Sequence, residues 1–342
     1  MTQKQWKEAL LRGQGRCIQA LRAEPEKYRR GVLWACQHEV AYDPQCEGSR
    51  ALFVYELICT YPDPQPFLEA AMESLQKARS DGGWKVQYLA ELLICFAADG
   101  HGAAEAALWE KYEVLYAKLL KKRTLPEGIF PERDDFHMLC VLLGHDRKAM
   151  VRIAADIGRL YRTKNIYDGD DFDWLFATGA KRYRKTLQQK AEHSADIAAY
   201  LQAGQMAEEP KPRTGELRTD LRPVRDRGNR FPGLLEDYRE QDAALLVERV
   251  LAVPVKLDDR QDWHEIHSQV LQMDAYGRKA PAELLRHIYE TSYCSYCRGD
   301  AVEQLGKRKL LTDAMLEECL LDSNDEIRAY AGRILRKRKR EE

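Results

Sequence analysis

Two stretches near the C-terminus share one pattern, and this self-similarity constrains the fold more than any other feature of the sequence. The stretches cover residues 297–307 and 327–337 and align at an offset of 30 residues. Basic, small and leucine residues recur at matched positions, in the pairs Arg298 and Arg328, Ala301 and Ala331, and Leu305 and Leu335. Positions three and four residues apart lie on one face of a helix, so both stretches present the same face. Such repetition at a fixed period is typical of helical repeat arrays.

A second self-match lies in the N-terminal half, between residues 50–57 and 85–92, at an offset of 35 residues. It pairs Phe53 with Tyr88, among others. Most remaining segments show the amphipathic period of helices, interrupted by Pro and Gly, and none alternates at a period of two. The sequence therefore predicts an all-α fold of helical hairpins that stack side by side as an α-α superhelix, or solenoid.

The composition along the chain divides it into four segments. Helical repeats are predicted over residues 1–125, 126–205 and 233–342, with a Pro/Gly-rich linker opening the second of them. The remaining segment, 206–232, is rich in Pro and charged residues, which exclude a regular helix. We expect it to be a flexible insert.

Composition and charge limit the partners that the chain can attract. Lys and Arg total 54 against 55 for Asp and Glu, so a net charge of −1 gives no global attraction to nucleic acid or an acidic membrane. The N-terminus lacks the apolar stretch of a secretory signal, and the longest apolar run, 92–98, is too short to span a bilayer. Nine cysteines, mostly at apolar helical positions, are typical of reduced thiols. We expect a cytoplasmic protein with no membrane partner.

The last predicted hairpin carries a more specific pattern. A helix over residues 312–321 and a turn over 322–324 precede the run Asp325-Glu326-Ile327-Arg328-Ala329-Tyr330-Ala331. An acidic residue, then arginine, then small residues resembles the second helix of HEAT-like (armadillo-type) repeats, in the short form of bacterial proteins. The resemblance is clear over 281–339 and fair over 48–160. It implies a curved superhelix with a concave binding face, and it implies no reaction.

The sequence contains no catalytic Ser/His/Asp set, phosphate-binding loop or dinucleotide-binding fingerprint. It therefore indicates no catalytic residue, no cofactor and, as the simplest interpretation, no enzyme. The first functional hypothesis is a non-enzymatic scaffold that binds a protein partner on the concave face of the superhelix.

Local basic patches support an alternative hypothesis, the binding of nucleic acid. Residues 211–230 carry seven basic side chains against three acidic ones, and residues 181–185 interleave basic side chains with a tyrosine. Such patches can neutralise phosphates. The candidate partner-binding residues are Trp174, Arg182, Arg184, Arg222, Arg225, Arg227 and Arg230. On fold analogy alone, an enzyme similar to DNA glycosylases would use Asp171, Asp173, Trp174 and Arg182.

Cysteine and histidine spacing raises the question of zinc. Cys294 and Cys297, taken with His264 and His267, offer two pairs of potential ligands at chelating separation. However, Cys297 aligns with Ile327 in the repeat match, so packing in a hydrophobic core explains it without a metal. The sequence by itself therefore favours packed thiols, and we predict no metal ligand from it.

Overall fold

A computed structural model of the chain describes residues 1–81, 83–122, 131–164, 181–208, 240–273 and 279–341. Every regular element in these ranges is helical, which confirms the predicted all-α class. Among the described helices, none is both long and apolar enough to cross a lipid bilayer.

The described residues form two compact units. Unit 1 comprises Met1–Ala35, Glu39–Asp63 and the described part of Arg222–Glu342, and unit 2 comprises Cys36–His38 and the described part of Pro64–Leu221. The division into four segments that composition suggests stays a prediction.

Unit 1 begins with five helices joined by short turns. They are α1 (Gln3–Arg12), α2 (Arg16–Ala23), α3 (Pro25–Ala35), α4 (Pro44–Glu47) and α5 (Ala51–Ile58). Thr2 caps α1 through a reciprocal capping box with Gln5, and Gly13 ends the helix in the left-handed conformation at φ 69°. The rings of Trp6 and Tyr28 stack with their centroids 5.2 Å apart, which packs α1 against α3.

Unit 2 is a run of helices that pack on their neighbours in sequence. They are α6 (Gln65–Lys77), α7 (Lys85–Ala98), α8 (Gly102–Lys121), α9 (Pro131–Leu143), α10 (Arg147–Lys164), α11 (Lys181–Ala191) and α12 (Ala195–Glu208). Helix α7 packs on α6, α8 and α9, and α10 packs on α11 and α12. Buried Tyr112 and Phe136 join α8 to α9 with ring centroids 4.9 Å apart.

The described residues in the C-terminal part of unit 1 form a 3₁₀ turn over Glu240–Asp242 and six helices. They are α13 (Ala243–Leu251), α14 (Arg260–Gln272), α15 (Ala282–Thr291), α16 (Ser295–Lys307), α17 (Asp313–Cys319) and α18 (Asp325–Glu341). The pairs α15–α16 and α17–α18 are the two helical hairpins that the 30-residue match predicts. Ala301 and Ala331, the matched small residues, are both fully buried.

The N-terminal and C-terminal parts of unit 1 are also hydrogen-bonded to each other. Gln14 Nε2 donates to the carbonyl of Tyr289 at 2.9 Å, across 275 positions of sequence. The Ser323 N–H donates to the Gly13 carbonyl at 2.8 Å, and Arg50 Nη2 donates to the Tyr293 carbonyl at 2.9 Å. In a linear repeat array each repeat contacts only its neighbours in sequence. The stacking predicted from the sequence therefore does not include these contacts between distant parts of the sequence, on which unit 1 depends.

Candidate functional site

A groove lies between α16 and α18 in the C-terminal part of unit 1. It encloses about 340 Å³. Its polar and aromatic lining, from α16 and then α18, includes Tyr296, Asp300, Glu303, Glu326, Tyr330 and Arg333. We refer to it as the acidic groove, because three carboxylates outnumber the one arginine in this lining.

The internal repeat explains why these side chains converge. Tyr296, Asp300 and Glu303 are spaced i, i+4 and i+7, which places them on one face of α16. The groove residues of α18 are the equivalents of these three positions at the offset of 30 residues. Gly299 and Ala329, also equivalent to each other, line the groove with little side-chain volume. The groove is therefore formed by the same face of two successive repeats.

The carboxylates of the acidic groove lie close enough to influence one another. Burial raises the pKa of Asp300, and the negative charges of Glu303 and Glu326 raise it further. Lys307 partly offsets this repulsion through an ion pair with Glu303, with Nζ and Oε1 2.9 Å apart. The groove thus has a negative field that favours a cation.

Two tyrosines complete the acidic groove. Tyr296 is 49% exposed, a high value for a large aromatic side chain. Tyr330 lies across α16 and donates its hydroxyl to the Glu303 carbonyl at 3.2 Å. A Cβ at Gly306 would overlap the Tyr330 hydroxyl, so the glycine leaves the space that this ring occupies.

A second depression of about 280 Å³ adjoins the acidic groove at the N-terminal ends of α16 and α18. Tyr296, Asn324 and Glu326 line both. Its other side is formed by the start of α5, including Arg50 and Phe53. A ligand longer than one side chain can therefore extend from one depression into the other.

His264, Cys294 and Cys297 form a second feature, the Cys₂His cluster. One ligand atom from each residue lies within 4.8 Å of the others, and Cys297 Sγ is 3.4 Å from His264 Nδ1. His264 comes from α14, Cys294 is the N-cap of α16, and Cys297 lies in the first turn of that helix. Both cysteines are only 5% exposed.

Polar neighbours hold the Cys₂His cluster in place. Cys294 Sγ accepts the Cys297 N–H at 3.5 Å. Glu47 Oε1 accepts the Ser295 N–H at 2.9 Å, while its Oε2 pairs with Arg50 Nη2 at 2.7 Å. A hydrogen bond between the two cysteine side chains lowers the pKa of Cys294 and raises the pKa of Cys297.

The fourth candidate zinc ligand, His267, is not part of the cluster. It is 1% exposed, and its ring lies 5.5 Å from that of Trp263. Burial lowers the pKa of His267 to about 3, so the ring is neutral. His267 is therefore packed in the core, whereas the structure brings the other three candidate ligands together.

The candidate partner-binding residues fall into two groups. Arg182 and Arg184 lie exposed on α11 in unit 2, and the Arg182 guanidinium lies 5.4 Å from the centroid of the Tyr183 ring. The others lie outside the described residues: Trp174, Arg222, Arg225, Arg227 and Arg230, together with Asp171 and Asp173. Sequence reasoning missed the acidic groove, because the 30-residue offset marks its positions as equivalent but does not show that the two helix faces meet.

No protein-family model matches the chain, and neither the curated proteins nor the solved structures compared with it contain a match.

Proposed function

We propose that this chain is a non-enzymatic interaction protein of the HEAT-like (armadillo-type) class, in which stacked hairpins form an α-α superhelix that binds a protein partner. Two features support this: the hairpins α15–α16 and α17–α18 repeat at 30 residues, and the helices of unit 2 pack on their neighbours in sequence. Stacked hairpins expose the side chains of successive second helices in one row. The acidic groove lies along such a row.

The partner is a protein segment that carries Lys or Arg side chains. The observation behind this is the convergence of Asp300, Glu303 and Glu326 in one groove. Burial and then repulsion raise the pKa of Asp300, and a cation bound there relieves the repulsion, so binding gains Coulomb energy. The same field repels the phosphates of a nucleic acid.

The two tyrosines add a second mode of recognition. Arg and Lys side chains bind favourably over aromatic faces, with a gain of about 0.5–1 kcal/mol at exposed sites. Tyr296 and Tyr330 line the groove beside the carboxylates. A basic side chain that lies along the groove can therefore contact a ring and a carboxylate together.

The proposed location is the cytoplasm. All eight cysteines whose side chains the structure describes are free thiols. Free thiols persist in reducing compartments, whereas secreted proteins of comparable cysteine content usually form disulfides.

Labelled peptides and three substitutions in the acidic groove test the binding proposal. The probes are fluorescein-labelled hexapeptides of arginine, lysine or glutamate, and binding is measured by fluorescence anisotropy. We expect the basic peptides to bind, with affinity falling as salt rises. Asp300→Asn, Glu303→Gln and Glu326→Gln should each weaken binding about two- to fivefold, as the loss of a partly exposed ion pair does.

Glu317→Gln is the matched control, because Glu317 is an exposed glutamate on α17 outside the groove lining. It removes the same charge and should leave affinity unchanged. Equal weakening by Glu317→Gln, or equal binding of the glutamate peptide, would contradict the proposal. Binding of duplex DNA that Arg182→Ala/Arg184→Ala abolishes would favour the nucleic-acid hypothesis instead.

A further inference from the structure

We propose that His264, Cys294 and Cys297 bind a zinc ion that fastens α14 to the start of α16. This goes beyond the proposed interaction function, which uses different side chains. It also replaces the expectation from the sequence, in which the two cysteines pack as apolar residues and no metal ligand is predicted.

The distances in the Cys₂His cluster suit zinc. A tetrahedral zinc ion with Zn–S bonds of about 2.3 Å and a Zn–N bond of about 2.0 Å holds its ligand atoms about 3.5–3.8 Å apart. Cys297 Sγ and His264 Nδ1 are 3.4 Å apart, and all three candidate atoms lie within 4.8 Å of one another. Shifts of an ångström or less therefore bring all three donors into the first coordination shell.

The type and number of donors also suit zinc. Two thiolates and one imidazole are soft and intermediate donors, which favour zinc over the oxygen-preferring calcium and magnesium ions. Two thiolates balance the charge of Zn²⁺, so the metal adds no net charge to a site where both cysteines are 5% exposed. Three protein ligands leave one position of the tetrahedron for a fourth donor, as in the zinc sites that retain a water molecule.

Core packing explains the arrangement of these three side chains less well than zinc binding does. Buried cysteines that act as small hydrophobic residues, such as Cys17 and Cys319, belong to no group of three convergent donors among the described residues. In the Cys₂His cluster an imidazole nitrogen points at a sulfur, and the other sulfur accepts a backbone N–H. Polar contacts of this kind are typical of a coordinated group and its outer shell.

Residues around the cluster can orient its ligands. The rings of Tyr42 and His264 lie with their centroids 5.6 Å apart, which limits rotation of the imidazole. Glu47 Oε1 accepts a hydrogen bond from the N–H of Ser295, the residue after Cys294, and Glu47 Oε2 forms an ion pair with Arg50. Zinc ligands depend on such partners for their geometry. The site therefore joins α14 and α16 and has an outer shell that reaches α4.

Metal analysis of the full-length protein tests the proposal. The protein is purified without chelators or a histidine tag, and its zinc content is measured by inductively coupled plasma mass spectrometry. We expect about one zinc per chain, which remains after gel filtration. Cobalt added to protein stripped with a chelator should give the visible bands of a tetrahedral thiolate site, because Co²⁺ occupies zinc sites with the same ligands.

Substitutions assign the ligands and control for folding. Cys294→Ser, Cys297→Ser and His264→Asn should each reduce the zinc content at least severalfold and abolish the cobalt bands. Cys59→Ser replaces an exposed cysteine outside the cluster and should keep one zinc.

The wild-type measurements decide the proposal even if a variant fails to fold, which circular dichroism would reveal. Less than about 0.2 zinc per chain, together with cobalt spectra of a six-coordinate aqueous ion, would overturn it. So would a disulfide between Cys294 and Cys297 in freshly purified protein, shown by mass spectrometry, because that bond consumes both sulfur donors. Neither result affects the peptide-binding experiment, so failures of the two proposals can be told apart.

Discussion

At the scale of single residues, one repeated arginine occupies two different environments. Arg298 is fully buried and forms a bidentate pair with Asp322, with both N–O distances 2.8 Å. Arg328, its equivalent in the next repeat, is partly exposed and pairs with Glu56 at 2.7 Å. A buried charge that loses its partner has no water to replace it, whereas an exposed one regains its hydration.

We therefore predict unequal costs for the same substitution at the two positions. Arg298→Met leaves the carboxylate of Asp322 buried without its cation, and should lower the free energy of unfolding by about 3–5 kcal/mol. Arg328→Met should cost about 1 kcal/mol or less. Urea denaturation followed by circular dichroism measures both. Similar losses of stability for the two variants would show that burial does not make the Arg298 pair more important than the Arg328 pair.

At the scale of helices, the end of α1 is a close contact between distant parts of the sequence. Gly13 ends the helix at φ 69°, and its carbonyl accepts the N–H of Ser323. A Cβ at Gly13 would lie 2.7 Å from the Cβ of Ser323. The glycine is therefore required both by its backbone conformation and by the approach of the turn before α18.

Gly48 supplies the matched control for Gly13. It has nearly the same conformation, with φ 72°, but a Cβ there would meet nothing within 4 Å. Gly48→Ala should lose only the conformational preference, about 1–2 kcal/mol. Gly13→Ala should lose about 2–4 kcal/mol, because the turn must also move. Thermal unfolding of both variants tests this, and equal losses would indicate that the Ser323 turn adapts without strain.

At the scale of the whole molecule, the beginning and end of the chain stabilise unit 1 together. The Arg50 guanidinium is 4% exposed and donates to the carbonyls of Leu11, Val40 and Tyr293. Arg16 Nε pairs with Glu318 Oε1 at 2.6 Å. When the first helices are removed, these bonds are lost, and carbonyls and charged side chains of the C-terminal part are left without partners.

We predict that the fragment 233–342, the C-terminal segment suggested by composition, does not reach full helix content alone. Adding a fragment of residues 1–63 should restore helicity and form a one-to-one complex, as measured by circular dichroism and gel filtration. The control is fragment 1–63 with Gln14→Ala, Arg16→Ala and Arg50→Ala, which should bind much more weakly. Cooperative unfolding of 233–342 alone, at the temperature of the intact chain, would contradict the prediction.

Much of the local structure follows from the sequence. The helical class and the hairpins α15–α16 and α17–α18 were predictable because periodic apolar positions and capping residues act over a few residues. Thr312, for example, caps α17 by accepting the Met315 N–H, as its place before an acidic first turn indicates. The repeat offset likewise identifies Ala301 and Ala331 as equivalent buried positions.

The candidate sites could be predicted only in part. The spacing of Cys294 and Cys297 marks them as a chelating pair, but their distance from His264 depends on how α14 packs against α16. The same spacing also offered His267, which faces Trp263 instead. Residues Asp300, Glu303 and Glu326 look like an ordinary charged surface until two repeats place them around one groove.

The sequence by itself therefore determined which segments are helices and which helices repeat, because those properties depend on neighbours three and four residues away. Only the tertiary structure decided that Gln14 meets Tyr289 and that an imidazole from α14 meets two sulfurs of α16. Contacts across such separations depend on the packing of whole helices, and no local pattern of residues encodes which distant surface a helix will cover.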